Sequence, residues 1–123
     1  MDEKLYELLK DQPFWRWLPP EGGRYFDACF NMDAETVPAG QHRQSAGRVG
    51  YLISGRARVN GEPAGEGTFF GVKADRSAEE ADLWAVTECK VLWLDGDVLR
   101  HVCYAACWFH ARLIREVDAY FQA

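Results

Sequence analysis

The chain has 123 residues, 48% of them apolar, with five Trp, seven Phe and five Tyr, a net charge of −5 and a pI of about 5.1. That is material for one domain around one core. Phosphate contact needs clustered Lys and Arg, so an acidic chain with no basic run and no recognition-helix pattern is not expected to bind nucleic acid by itself.

The N-terminus, Met1-Asp2-Glu3-Lys4, is charged and has no apolar signal core or small-residue cleavage site. Nothing in the sequence approaches a membrane span of roughly 20 apolar residues. Cytoplasm is the default expectation. Residues 2–11 read as a short helix with Leu5, Leu8 and Leu9 on one face, stopped by Pro13. Phe14, Trp15, Trp17 and Leu18 follow as an aromatic knot suited to capping one end of a barrel. Glu21-Gly22-Gly23 is a turn. Residues 25–32 are apolar enough for a strand, with helix left open.

Residues 49–53 form a strand, Ser54-Gly55 a tight bend, and residues 56–59 a continuation whose alternation puts Arg56 and Arg58 on one face. Asn60-Gly61 signals a two-residue turn with positive φ. Ala64-Gly-Glu-Gly67 is another turn, 68–72 a strand, 73–82 a polar acidic loop, and 84–94 one or two strands. Short strands separated by Gly turns indicate an all-β sandwich or barrel. Asp97 is a good N-cap. Residues 98–121 then carry helical spacing with neither Pro nor Gly, as one helix or as two with a break near 105–107. Leu99, Val102, Cys103, Ala106, Phe109, Leu113, Val117 and Tyr120 recur at about 3.5 residues, a stripe that predicts a dimer seam.

Three segments carry a resemblance: Val49-Gly-Tyr-Leu-Ile-Ser-Gly-Arg56, Gly67-Thr-Phe-Phe-Gly71 and Thr87-Glu-Cys-Lys-Val-Leu-Trp-Leu94. Together with Glu35-Thr-Val-Pro-Ala-Gly40 they resemble the sensor domain of Crp/Fnr-type transcription regulators, a jelly-roll related to cyclic-nucleotide-binding domains. The likeness covers roughly three-quarters of the chain, from Glu35 onward. It implies an antiparallel β jelly-roll, cyclic-nucleotide-binding-like or cupin-like, with a short N-terminal helix and a C-terminal helical segment.

The nucleotide-gripping residues of that family are mostly replaced. The family's corner glycine precedes a Glu that holds the ribose; here Gly71 precedes Val72. An Arg followed by Ser or Thr and Ala clamps the cyclic phosphate. Arg76-Ser77-Ala78 matches in letters but lies close to Gly71, and counting back from Thr87 puts Glu79 at the arginine's place. Arg76 reads as an ordinary solvated loop residue. The stretch between Val59 and Gly67 is shorter than the family's hairpin. The helix stops at Ala123, and no helix-turn-helix domain follows it in this sequence.

Two constellations invite metal or redox readings. Cys103, Cys107 and His110 fall within about 60° of one another on a helix, and thiolate and imidazole suit zinc, haem iron or copper. Their bland reading is small apolar thiols in a helix interface with a polar His at its edge. Cys29 and Cys89 also sit in apolar runs, without a disulfide framework. His42 follows Gly40 as the first His of a metal cupin does, but no partner His stands at suitable spacing. No nucleophile elbow or phosphate cradle of the Walker type is present.

The sequence therefore predicts one sensor-like domain: 1–20 helix and aromatic segment, 21–95 jelly-roll, 96–123 dimerisation helix. Its expected role is a non-catalytic, cytoplasmic, ligand- or signal-sensing regulatory domain acting as a homodimer, without a cofactor and without binding cyclic AMP. A small-molecule effector is expected in the barrel interior beside Phe70, Gly71 and Val72, with Arg76 and Ser77 at its edge. The alternatives are a small metal-dependent cupin-type enzyme and a redox or haem sensor.

Overall fold

In the computed structural model the described residues are 2–21, 32–101 and 108–122, with side chains from Leu5 onward. The strand expected over 25–32 lies outside them except for Met32, which is buried. Helix α1 (Asp2–Leu9) is followed by a 3-10 turn at Pro13–Trp15. Eight strands come next: β1 (Asp33–Val37), β2 (His42–Gln44), β3 (Arg48–Ser54), β4 (Ala57–Val59), β5 (Glu62–Ala64), β6 (Phe69–Phe70), β7 (Asp82–Ala85) and β8 (Cys89–Asp95). A 3-10 turn (Gly96–Leu99) and helix α2 (Trp108–Gln122) complete the order. Asp95, not Asp97, caps the 3-10 turn: its carboxylate accepts from the Asp97 amide at 3.0 Å.

The strands form two four-stranded antiparallel sheets ordered β1-β8-β3-β6 and β2-β7-β4-β5. This alternation of near and far strands is the jelly-roll arrangement. Asn60 and Gly61 both take positive φ, 50° and 84°, in the tight turn between β4 and β5.

The sheets differ in burial, and their sequences show why. In the second sheet β7 alternates, with Leu83 and Ala85 buried and Asp82 and Trp84 outward. One face meets the core and one meets water. In the first sheet five consecutive residues of β3, Val49–Ile53, are buried, as are residues 91–94 of β8. A continuous apolar run marks a strand covered on both sides. Gly50, Leu52, Val91 and Trp93 lie on the face toward the second sheet. Tyr51, Ile53, Leu92 and Leu94 lie on the outer face, under the helices.

That outer face is where α2 docks. An isolated helix of 15 residues is marginal in water. Phe109, Leu113 and Val117, all 0% exposed, pack it onto β3 and β8, and each buried side chain contributes roughly 2 kcal/mol. The stripe expected to be a dimer seam is thus consumed within the chain: Leu99, Phe109, Leu113 and Val117 are fully buried, and Tyr120 packs against the same cluster. Val102 and Ala106 lie outside the described residues.

The aromatic knot also has a different place from the expected one. Phe14, Trp15 and Trp17 cover the outer face of the first sheet rather than a barrel end. Phe14 meets Phe69 edge-on with ring centres 4.9 Å apart, and Trp17 meets Phe109 at 5.3 Å.

Between the sheets, Phe70 and Trp93 face each other edge-on at 5.4 Å. Both pair with Gly50 on neighbouring strands. At the edge of this core Glu35 accepts from Trp93 Nε1 at 3.0 Å and from Arg43 Nε at 2.9 Å, tying β1 and β8 to β2. Burial alone would raise the Glu35 carboxyl, but the hydrogen bonds from Arg43 and Trp93 outweigh it and hold the group below its ordinary value.

A Cβ on Gly50 would lie 2.1 Å from Phe70 Cζ. The ring is hemmed in by Trp93 and cannot swing clear. Gly50→Ala is expected to destabilise the fold by about 1–3 kcal/mol, as overpacked cores do. Urea unfolding measures it, and an unchanged midpoint would contradict this packing.

Candidate functional site

The loop after β6 is the counterpart of the nucleotide-gripping segment. It closes on itself through its backbone. The Glu79 amide donates to the Gly71 carbonyl at 3.0 Å, Lys73 to Ser77 at 2.9 Å, and Arg76 to Lys73 at 2.8 Å. Val72 and Ala78 form an isolated bridge. Gly71 turns the corner at φ +76°, and a Cβ there would sit 2.8 Å from the Arg48 carbonyl oxygen. Only glycine fits that corner. Below it, buried Ser45 accepts from the Ala81 amide at 2.8 Å, which fixes the end of the loop.

Arg76 is not the solvated side chain expected from sequence. Its guanidinium donates to the Leu99 carbonyl at 3.0 Å and pairs with Asp118 of α2 at 3.1 Å. Its own backbone sits at φ +67°, a region that costs non-glycine residues of order 1 kcal/mol. The two contacts offset that cost and fasten the loop to the C-terminal helix. Ser77 is engaged as well. Its hydroxyl donates to Asp75 at 2.5 Å and its amide to the same oxygen at 2.9 Å. The hydroxyl bond is the main reason the Asp75 carboxyl is lowered.

The expected effector position beside Phe70, Gly71 and Val72 is filled. Phe70 is 4% and Val72 6% exposed. Phe70 stands against Trp93 between the sheets, and Val72 joins the cluster under the helices. A barrel whose inner face carries Trp93, Phe70, Leu52 and Leu83 packs itself. Glu79 and Glu80 are exposed, and Glu80 accepts from the Ala46 amide at 2.9 Å.

The other candidates fall elsewhere. His42 lies on the exposed face of the second sheet, near Asp82 at 3.2 Å and stacked on Trp84, away from the barrel interior. His110 is buried and hydrogen-bonded to the Val98 carbonyl, so it joins α2 to the 3-10 turn rather than sitting at a helix edge. Cys103 and Cys107 lie outside the described residues, as does Cys29. Cys89 is a buried free thiol donating to the Arg56 carbonyl, and burial raises it above its ordinary value.

A hollow not foreseen from sequence lies on the outer face of the first sheet. It is a groove of about 610 Å³ between the Pro13–Trp15 turn, the Glu66-Gly67 turn and α2. Phe14 and Tyr120 supply aromatic surface to it, with fully buried Tyr51 behind them; Asp11, Glu66 and Glu116 supply carboxylates. The Tyr51 hydroxyl donates to Gln12 Oε1 at 3.1 Å, and Gln12 Nε2 donates to the Ile53 carbonyl at 3.1 Å. Burial first, then neighbouring Tyr120 and Glu66, push the Tyr51 phenol from 10.0 up to about 12. Neither Gln12 nor Asp118 stands in a motif. Each comes to its partner only through the docking of helices onto the sheet.

The geometry has counterparts among solved structures. A protein of Geobacter metallireducens GS-15 described as cyclic nucleotide-binding superposes with TM-score 0.65 at 18% identity, over 92% of each chain. The N-terminal domain of a transcriptional regulator from Streptomyces coelicolor A3(2) gives 0.58 at 19%, over 99% of this chain and 92% of the other. The sensor domain of the transcriptional regulator DNR from Pseudomonas aeruginosa gives 0.53 at 16%, over 98% and 83%. No protein-family model matches the sequence, and no curated protein matches it either. The fold is that of the cyclic-nucleotide-binding jelly-roll, and regulator sensor domains share it. No helix among the described residues is long and apolar enough to cross a membrane.

Two outcomes follow from this geometry. The Tyr51 phenol is held protonated more strongly in the folded chain than in the unfolded one. Its contribution to stability is complete below pH 10.0 and is lost as the pH climbs through about 12. Tyr51→Phe should flatten that alkaline loss in denaturation curves; parallel curves for the two proteins would contradict it. Asp118→Asn should speed amide hydrogen exchange in residues 73–78 while costing under about 1 kcal/mol of global stability, as half-exposed ion pairs do. Unchanged exchange there would mean that the pair does not hold the loop.

Proposed function

We propose that this chain is a non-catalytic, ligand-sensing regulatory domain of the Crp/Fnr type whose effector is not cyclic AMP. The observation that carries the reading is the Arg76–Asp118 pair. The one arginine in the phosphate-gripping loop is turned onto the C-terminal helix and the Leu99 carbonyl. Val72 replaces a ribose-binding carboxylate, and Glu79 stands where a phosphate-binding arginine would be. A carboxylate there repels a cyclic phosphate.

The same pair supports a route for signalling. The loop and α2 share a polar contact, and α2 lies on the sheet through apolar packing at Phe109, Leu113 and Val117 and a hydrogen bond from the Phe69 amide to the Tyr120 hydroxyl at 3.4 Å. A ligand that favours one placement of α2 over another shifts the population between them, and only to the extent of its differential affinity. The likeness to the Streptomyces and Pseudomonas regulator domains supports the regulatory class. The reading places the domain in the cytoplasm, in keeping with the buried free thiol of Cys89.

Calorimetry tests the ligand claim. Cyclic AMP is expected to show no binding tighter than about 1 mM, near 4 kcal/mol. Micromolar affinity, abolished by Arg76→Ala, would overturn it and restore Arg76 as a phosphate ligand.

A further inference from the structure

The groove between the Pro13–Trp15 turn, Glu66 and α2 shares no residue with the loop from Gly71 to Ala78. Its volume of about 610 Å³ lies inside the range of about 300–1,000 Å³ that small-molecule sites occupy. Two independent features of its lining agree on one chemistry.

The first is charge. The lining carries three carboxylates, Asp11, Glu66 and Glu116, and no Lys or Arg. Glu116 is matched by Arg112 at 2.8 Å. Asp11 and Glu66 make no ion pair with any described residue and leave the groove a negative mouth.

The second is aromatic surface. Phe14 stands 6.0 Å from Tyr51 and 6.2 Å from Tyr120, ring centre to ring centre. Ring faces attract cations through the quadrupole of the π system, most strongly where water is excluded. Tyr51 is fully buried behind these rings, with its hydroxyl donated to Gln12, so the partly exposed rings of Phe14 and Tyr120 are the aromatic wall. An anion would meet carboxylates here.

We propose that this groove binds a small organic cation, an ammonium or quaternary ammonium group on an apolar or aromatic body. The cation sits toward Asp11 and Glu66, and the body lies against Phe14 and Tyr120. This names a site and a ligand class for the sensing reading. It rests on that reading only for the consequence of binding, because Glu116, Ala119 and Tyr120 of α2 line the groove. A bound molecule there touches the sheet, the N-terminal turn and the C-terminal helix at once.

Titration calorimetry of the full chain with benzyltrimethylammonium, against phenylmethanesulfonate as a size-matched anion, is the test. The cation is expected to saturate with a dissociation constant at or below about 1 mM, more weakly at high salt, and the anion not at all. Glu66→Gln and Asp11→Asn, both surface changes, should each weaken the cation about fivefold. Phe14→Leu keeps an apolar side chain but removes the ring face, and should weaken it by a similar factor. Equal binding of the anion, affinity unmoved by Glu66→Gln, or no saturation by the cation below about 10 mM would overturn the site. Hydrogen exchange in residues 108–122 separates the two claims. Saturable cation binding that leaves α2 unchanged supports the site and counts against the regulatory reading. Slowed exchange in α2 on binding supports both.

Discussion

The antiparallel pairing of β3 with β8 places one sheet between two apolar layers, and most of the molecule is arranged around that demand. Val49–Ile53 leave no face for water. Their even-numbered positions must be covered by the second sheet and their odd-numbered positions by helices. The chain satisfies the first requirement with short alternating strands that turn Ala57, Leu83 and Ala85 inward, and the second with two amphipathic segments from its ends. Removing the helices would expose Tyr51, Ile53, Leu92 and Leu94 together, a patch that soluble proteins rarely tolerate. Folding and helix placement are therefore coupled from the outset.

That coupling explains what became of the two regions where a ligand was sought. Inside the barrel, Gly50 opens just enough room for Phe70 and Trp93 to meet, and the meeting fills the space. In the adjacent loop, Arg76 spends its charge on Asp118 and on a 3-10 turn carbonyl. Arg76 is thus partnered from within its own chain. The unfilled volume lies instead on the other face of the sheet, where rigid rings and a helix cannot close fully over a curved surface. Its negative lining is the reverse of what an anionic nucleotide needs.

Both main turns and the strands around them were legible from the residues, while the short strands β2 and β5 were not read from sequence. Ser54-Gly55 and Asn60-Gly61 punctuate runs of period two, and such local rules are satisfied within a few residues. The helix at each end and the corner at Gly71 follow from the same reasoning, while 84–94 was left open between one strand and two, and the structure has two. The missing ribose carboxylate was legible too, because it depends on which residue follows a glycine. The stripe through Leu99, Phe109, Leu113 and Val117 was visible but ambiguous. A helix face that is apolar every three to four residues says only that it will be buried, not by what. Here its own sheet claims it.

Local pattern, then, determined the β scaffold and the positions of its turns, since each depends on neighbours in the chain and on backbone sterics. Only tertiary structure decided that Arg76 meets Asp118, that Gln12 meets Tyr51, and that Asp11, Glu66 and Glu116 border one groove. Those partners are 42, 39 and as many as 105 positions apart. They are joined by the packing of helices on a twisted sheet, an outcome of the summed burial of many side chains rather than of any short motif.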